Sequence, residues 1–271
     1  MIFHGEKAGI LKCGIVCYRS MMSEPERQLL SRFPKVRPTL PPAYQRIYDE
    51  HYIRNRTGGS PATFAARMME AWMHRKVAED TRYLQTPYRT LEIGSGNLNH
   101  IPYEPRSKPY DVVEPFETLA ASSPENGNVS RVYRDIGEIH ETRYNRILSI
   151  AAFEHMADLP TIVATCGQLL LPGGQLRVAI PSEGTLLWGL GWRMTTGIEF
   201  RLRHHLDYGV LMRHEHLNDA SEIAAILGVF FETVKCEVLG VNRALSFYQF
   251  FRCSSPRTGK CSRYLTRERT I

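Results

Sequence analysis

The sequence predicts an α/β fold, in which helices cover both faces of a single, mostly parallel sheet of about seven strands. An apolar, alternating segment at residues 89–93 runs directly into a turn that contains Gly94 and Gly96. Further short apolar segments follow near residues 110, 131, 144 and 175, with intervals that leave room for connections. Two last segments, at 231–239 and 246–252, alternate as an antiparallel pair does. This order indicates a Rossmann-like, doubly wound sheet with an antiparallel C-terminal strand.

The turn after the first segment has the properties of a binding site for a nucleotide-type cofactor. Gly94 and Gly96 lack a Cβ atom, so backbone N–H groups around Ser95 can approach a ligand closely. Asn99 stands where the dinucleotide motif has its third glycine, which disfavours a pyrophosphate. Glu92 supports the same conclusion, because a carboxylate at the mouth of the turn repels phosphate and suits a ligand with an ammonium group.

Acidic residues also follow the second and third predicted strands. Glu114 stands 22 residues after Glu92, where a carboxylate commonly binds the two ribose hydroxyls of a nucleotide. Asp135 and Ile136 end the third strand, and a fourth strand at residues 144–151 leads into His155. We therefore expect the three acids to face one crevice at the edge of the sheet.

In this order the motifs resemble a class I S-adenosylmethionine-dependent methyltransferase of the small-molecule type, over roughly residues 45–253. The resemblance implies that S-adenosylmethionine is the cofactor, with its methionine end at the glycine turn, its ribose on the second acid and its adenine edge after the third strand. It also implies that the segment after the fourth strand faces the transferable methyl group. The cofactor-binding residues that it implies are Glu92, Gly94, Ser95, Gly96, Glu114, Asp135, Ile136 and Ser149.

The chain departs from the family pattern between its first two strands. Pro102, Pro105 and Pro109 occur there, and a helix interior does not tolerate proline. The sequence therefore predicts a turn or an irregular loop where the family usually has a helix.

An N-terminal helical cover is expected to precede the sheet. Tyr52 and Arg56 are candidates to close over the methyl and carboxylate groups of the cofactor, as such segments do in similar enzymes. A helix that begins near Ser60 is predicted to bury a stripe that includes Met68 and Trp72.

The substrate is expected to contact residues 182–217, a helical, aromatic and basic insertion after the fifth strand. His155, His214 and His216 are the candidate catalytic bases, because a histidine near neutral pH can take the proton that the methyl acceptor loses. No metal site is predicted, because His214 and His216 would point to opposite faces of an extended segment. The insertion is also a candidate homodimer surface.

Composition limits the partners and the compartment. Residues 39–253 carry 22 Lys/Arg against 24 acids, so the basic charge lies at the two ends and makes nucleic acid an unlikely substrate. No apolar run reaches the about 20 residues of a membrane span, so no membrane partner is expected. The six cysteines contain no CxxC pair, which favours a reducing cytoplasm.

The expected boundaries are a partly disordered leader at 1–43, a methyltransferase domain at 44–253 and a basic, disordered tail at 254–271. Lys12 interrupts the apolar part of the leader, so a signal peptide is not predicted, and a translation start at Met21 or Met22 stays open.

The methyl acceptor is predicted only by class. The segment that follows the fourth strand lacks the Asn/Asp-Pro-Pro-Tyr/Phe motif of enzymes that methylate base amines. We expect transfer to an oxygen or nitrogen of a small molecule or a glycan sugar, in bacterial polysaccharide or secondary metabolism. An RNA or protein methyltransferase anchored by the basic tail, or a non-catalytic cofactor-binding partner, are the alternatives.

Overall fold

The computed structural model describes residues 22–48, 64–84, 87–105 and 109–268, and it confirms the predicted fold class. The strands are β1 (Thr90–Ile93), β2 (Tyr110–Val113), β3 (Arg131–Tyr133), β4 (Tyr144–Ile150), β5 (Leu170–Pro181), β6 (Phe231–Gly240) and β7 (Ser246–Pro256). They form one sheet in the order β3-β2-β1-β4-β5-β7-β6. The pairings from β3 to β5 are parallel, whereas β7 runs antiparallel to both of its neighbours.

Helices flank this sheet and follow the predicted α/β order. They are α1 (Glu24–Leu30), α2 (42–48), α3 (Phe64–Ala78), α4 (Glu117–Ser122), α5 (Leu159–Leu169), α6 (Leu186–Trp192), α7 (Ile198–His204), α8 (Tyr208–Glu215), α9 (Ala220–Phe230) and α10 (Thr258–Glu268). A π-helical turn, Arg193–Gly197, joins α6 to α7. Within the described ranges, none of the helices has both the length and the apolar content that crossing a bilayer requires.

The order of the sheet places the carboxyl ends of the central strands side by side. β1 pairs with β2 on one side and with β4 on the other, so the chain moves outward from β1 in both directions. In open α/β sheets, a ligand crevice forms at this switch point, outside the carboxyl ends of the strands. The glycine turn and Glu114 lie at this edge, directly after β1 and β2.

Two apolar cores cover the two faces of the sheet. Leu91 and Ile147 belong to the larger core, which is closed by α5, α9 and α10. Val112 and Leu148 point to the other face, where Met73 and Val77 of α3 cover them. These central strands are thus buried on both sides, as parallel strands usually are.

The loop between β1 and β2 is irregular, as the prolines predict. Its only regular element among the described residues is a single 3-10 turn, Ile101–Tyr103, with Pro102 at its start. Within the described part of that loop, residues 94–105 and 109, no α-helix directs its dipole at the glycine turn.

The expected disorder of residues 254–271 is wrong for most of that segment. β7 continues to Pro256, and α10 follows with Cys261 and Tyr264 fully packed in the larger core. Tyr264 makes an edge contact with Phe230 of α9, with ring centroids 5.3 Å apart. Basic residues outnumber acids in this tail, and that charge obscured a short apolar stripe at helical spacing.

The leader contains order that the sequence analysis did not foresee. Ser23 and Glu26 form a reciprocal capping box at the start of α1, and Leu30 enters the larger core. The prediction of a buried stripe on α3 is wrong for Met68, whose side chain is exposed, whereas Trp72 packs partly against the second core.

Candidate active site

Glu114 links the tips of β1 and β2. Its Oε2 accepts a hydrogen bond from the backbone N–H of Gly96 at 2.8 Å, and its Oε1 accepts one from Phe116 at 3.1 Å. The carboxylate is buried beside the glycine turn. Each carboxylate oxygen can accept more than one hydrogen bond, so both keep acceptor capacity for a diol.

The glycine turn itself is open on one side. Gly94 and Gly96 have φ values of +71° and +52°, which few other residues adopt. A Cβ on Gly94 would lie 2.6 Å from the Cβ of Ala152, whereas a Cβ on Gly96 would meet nothing within 4 Å. Ser95 between them has a buried Oγ for which the structure shows no hydrogen-bond partner. An open backbone turn with an unsatisfied hydroxyl fits a polar ligand.

Glu92 differs from the charged acid that the sequence suggests. Its side chain is buried, and the hydroxyl of Tyr110 donates a hydrogen bond to its Oε2 at 2.7 Å. Burial raises the pKa of Glu92 to about 8; the bond from Tyr110 opposes this rise, while the charges of Glu104 and Glu114 add to it. The carboxyl group is therefore mostly neutral at pH 7 unless a cation lies close to it.

This raised pKa predicts how stability changes with pH. Between the ordinary pKa of a glutamate and about 8, the folded protein holds the proton of Glu92 more tightly than the unfolded chain does, so stability falls as pH rises through that window. We expect the thermal midpoint of Glu92→Gln to fall less than that of the parent protein as the pH rises across this window. Thermal denaturation at a series of pH values tests this, and the exposed Glu199→Gln is the control. An unchanged pH dependence in Glu92→Gln would contradict it.

The remaining predicted cofactor residues occupy different positions. Asp135 follows β3, is exposed and accepts the N–H of Gly137 at 2.7 Å, so it caps the turn in which Ile136 is buried. Ser149 is fully buried and donates to the carbonyl of Ile93 at 3.3 Å, so it holds the end of β1 in place instead of lining the crevice. Tyr52 and Arg56 lie outside the described residues.

Two of the three predicted histidines come together at the ends of β4 and α8. The ring centroids of His155 and His216 are 4.9 Å apart in an edge arrangement. Nδ1 of His155 lies 2.9 Å from the carbonyl oxygen of Glu215. Because that oxygen can only accept, Nδ1 carries the hydrogen and Nε2 is the basic nitrogen.

His216 is held by a carboxylate. Its Nδ1 lies 2.6 Å from Oε2 of Glu183, and the same oxygen accepts the indole N–H of Trp188 at 2.6 Å. Burial opposes ionisation of Glu183, but the hydrogen bonds from His216 and Trp188 outweigh it, so the pKa of this carboxyl is lowered. A charged Glu183 therefore fixes the His216 ring with Nε2 as its basic nitrogen.

A further acid and an arginine complete this edge. Glu154 is buried, its Oε1 lies 3.9 Å from Nε2 of His155, and its Oε2 has no hydrogen-bond partner in the structure. Burial raises the pKa of Glu154. Arg37 of the leader donates to the carbonyl of His155 at 3.1 Å, so the segment before α2 braces the site.

His214 does not join the pair. Its Nδ1 lies 2.6 Å from the carbonyl oxygen of Pro38, and its ring makes an edge contact with Tyr48 at 5.0 Å. The segment is also helical up to Glu215, so the extended geometry used to reject a metal site is wrong. We remove His214 from the candidate bases because these contacts direct it to the leader.

The sequence patterns place Glu183, Trp188 and Glu215 only within the expected substrate insertion at 182–217, without individual roles, and give no role to Glu154. A weak signal existed, because Glu183 stands two residues after the end of β5, at the edge where ligands bind in this fold. The contact between Glu183 and His216 joins residues 33 positions apart, and no local pattern reports it.

No family model matches the sequence. A ubiquinone biosynthesis O-methyltransferase of Mesorhizobium japonicum is 35% identical over 105 residues, which cover 35% of this chain and 40% of that protein. The match thus spans about two fifths of the length of this curated relative.

Solved structures share the fold at low sequence identity. The CurJ carbon methyltransferase is similar with a TM-score of 0.50 and 15% identity, over 80% of this chain and 71% of that one. A possible histamine N-methyltransferase from Thermotoga maritima has a TM-score of 0.48 and 14% identity, over 78% of this chain and 97% of that one.

Proposed function

The chain has the fold of class I S-adenosylmethionine-dependent methyltransferases, and we propose from this that it transfers a methyl group from S-adenosylmethionine to an oxygen or nitrogen of a small molecule or glycan sugar. The observation that carries the proposal is the buried Glu114 carboxylate, which the N–H groups of Gly96 and Phe116 hold at the tip of β2. A fixed acceptor beside an open glycine turn suits a nucleoside with two ribose hydroxyls.

The residues at this edge fit such a cofactor. Glu114 would hold the ribose, Gly96 and Ser95 would lie under the methionine end, and Asp135 with Ile136 would flank the adenine. Burial disfavours the charged form of Glu92, and a ligand with a positive charge would favour that form. When bound, S-adenosylmethionine supplies an electrophilic methyl group on a sulfonium.

Calorimetry on the full chain tests the proposed cofactor. We expect S-adenosylmethionine and S-adenosylhomocysteine to bind with micromolar affinity and NAD to bind far more weakly. The reason is that a turn without the third glycine, and with acids beside it, disfavours a pyrophosphate. Binding of NAD in preference to both nucleosides would overturn the proposal.

The His155–His216 pair supplies the base in this proposal. Nδ1 of His216 donates to Glu183, so its Nε2 can accept the proton that an acceptor hydroxyl or amine loses as it is methylated. Glu183 then stabilises the imidazolium, and Trp188 keeps the carboxylate in position. His155 lies beside it with the same basic nitrogen.

His216→Gln is therefore expected to lower the methyl-transfer rate by about 10²- to 10⁴-fold with little change in cofactor affinity. Release of S-adenosylhomocysteine in the presence of a panel of phenols, amines and sugars measures the rate. His214→Gln is the matched control, because His214 contacts Pro38 and Tyr48 instead of the pair. Equal losses in the two variants would remove His216 from this role.

Free thiols in the fold support a proposed location. Cys166, Cys236, Cys253 and Cys261 are free, and three of them are buried in the fold. Free thiols persist where the cytosolic redox buffer keeps them reduced. We propose the cytoplasm as the place of reaction.

A further inference from the structure

Among the described residues, a row of exposed apolar side chains lies on one helix of the insertion. α6, the π-helical turn and α7 form a continuous helical segment over residues 186–204, called here the insertion helix. Every fourth residue of it is a large aliphatic side chain that faces solvent. These residues and their exposed fractions are Leu186 65%, Leu190 46%, Met194 69%, Ile198 51% and Leu202 74%.

The π-helical turn keeps these five side chains on one side. In a regular α-helix, residues four apart are offset by about 40°, so five such residues would spread around much of the helix. The wider π-helical turn over Arg193–Gly197 rotates the chain by less per residue. This smaller rotation offsets part of the ~40° drift between aliphatic residues four positions apart. The five exposed side chains are called here the aliphatic stripe.

The opposite side of the insertion helix packs against the rest of the domain. Trp188 contacts Tyr248, and Trp192 and Phe200 contact Tyr208, with ring centroids between 5.3 and 5.8 Å apart. The helix is therefore apolar on two sides, and its inward aromatic side alone accounts for its packing. A helix that is also aliphatic toward water indicates a second contact surface.

Positive charge accompanies the stripe. Arg193, Arg201 and Arg203 are exposed on the insertion helix, with Glu199 as its one acid. Arg201 and Arg203 stand on either side of Leu202, so they flank the stripe at its C-terminal end. The body of the chain as a whole has slightly more acids than bases, which makes this concentration of arginine a local feature.

We propose that the insertion helix docks on an anionic phospholipid surface. The five aliphatic side chains would enter the apolar boundary of the bilayer, and the arginines would bind lipid phosphates, as on helices that lie in a membrane interface. Such docking needs no spanning segment. A second copy of the chain is a poorer occupant, because it would bring its own arginines to the same surface. The sequence alone predicts no membrane partner, and this surface changes that expectation.

Docking in this way would orient the candidate active site. Trp188 lies in the first turns of the insertion helix and donates to Glu183, which holds His216. Hydrogen bonds from Trp188 and from His216 to Glu183 therefore link the insertion helix to the edge of the sheet that carries the histidines. A methyl acceptor embedded in the bilayer could then reach the candidate active site while part of it stays in the membrane.

Vesicle co-sedimentation of the full-length protein tests the proposal independently of catalysis. We expect binding to vesicles of equal parts phosphatidylcholine and phosphatidylglycerol, weaker binding to pure phosphatidylcholine, and a decrease with added salt. Leu190→Glu/Met194→Glu is expected to weaken binding at least about tenfold. Val36→Glu is the matched control, because Val36 is an exposed aliphatic residue of the leader.

The competing occupants give different results. Binding that survives Leu190→Glu/Met194→Glu would assign it to another segment, such as residues 1–21, and would overturn the proposal. A stable dimer in light scattering that this double variant dissociates would assign the stripe to a second copy and would also overturn it. S-adenosylmethionine affinity, measured in parallel, reports on the proposed function separately.

Discussion

Glu114→Ala is expected to raise the dissociation constant for S-adenosylmethionine by at least about a hundredfold. The carboxylate is buried and fixed by two backbone N–H groups, so it meets a ribose diol without reorganising. Hydrogen bonds to a charged acceptor are each worth about 1.5–3 kcal/mol, and two of them would be lost. Calorimetry with the purified variant measures the change.

Two further variants separate binding from folding. Glu114→Gln keeps the side-chain volume and one of the two acceptor oxygens, so we expect smaller losses of affinity and of thermal midpoint than in Glu114→Ala. Glu117→Ala removes an exposed acid that stands three residues after Glu114 and pairs with Arg134, and its affinity should equal that of the parent protein. A hundredfold loss in Glu117→Ala as well would show that Glu114 has no specific role.

Arg146→Leu is expected to destabilise the fold by about 3–5 kcal/mol. Arg146 is 1% exposed and pairs with Asp80 at 2.9 Å and with Glu104 at 2.6 Å. Removing the guanidinium would leave two largely buried carboxylates without their main partner, and uncompensated buried charge is costly. Denaturant unfolding measures the loss.

The matched control is Arg143→Leu. Arg143 is exposed and, within the described part of the chain, donates only to the carbonyls of His140 and Thr142, so its loss should leave the unfolding midpoint nearly unchanged. Combining Arg146→Leu with Glu104→Gln should recover part of the stability, because it removes the charge of one of the two carboxylates that lost Arg146 as a partner. A midpoint that moves equally in the two arginine variants would contradict this account.

Local patterns explain why much of the site was predictable. Glu114 and Gly96 are separated by 18 residues, and a short strand followed by a turn marks each of them in the sequence. The irregular loop after β1 was equally predictable, because three prolines are a local signal. A residue whose position is set by the end of a strand and the turn after it can be predicted without knowing how distant segments pack.

Contacts between distant segments explain the failures. Arg146 pairs with Asp80 across 66 positions, and a charged residue inside a strand gives no sign that its partner will bury it. Glu183 and His216, or Tyr264 and Phe230, meet only after helices have packed. Glu92 likewise meets Tyr110 of the neighbouring strand only in the folded sheet, where burial raises the pKa of Glu92 to about 8.

The position of β7 also determines when the domain can be completed during synthesis. β7 lies between β5 and β6 in the sheet, although the ribosome makes it after both of them. A nascent chain that ends before residue 246 therefore presents the whole edge of β5 with unpaired N–H and carbonyl groups, a known template for aggregation. We therefore expect products truncated before β7 to aggregate more readily than the complete chain.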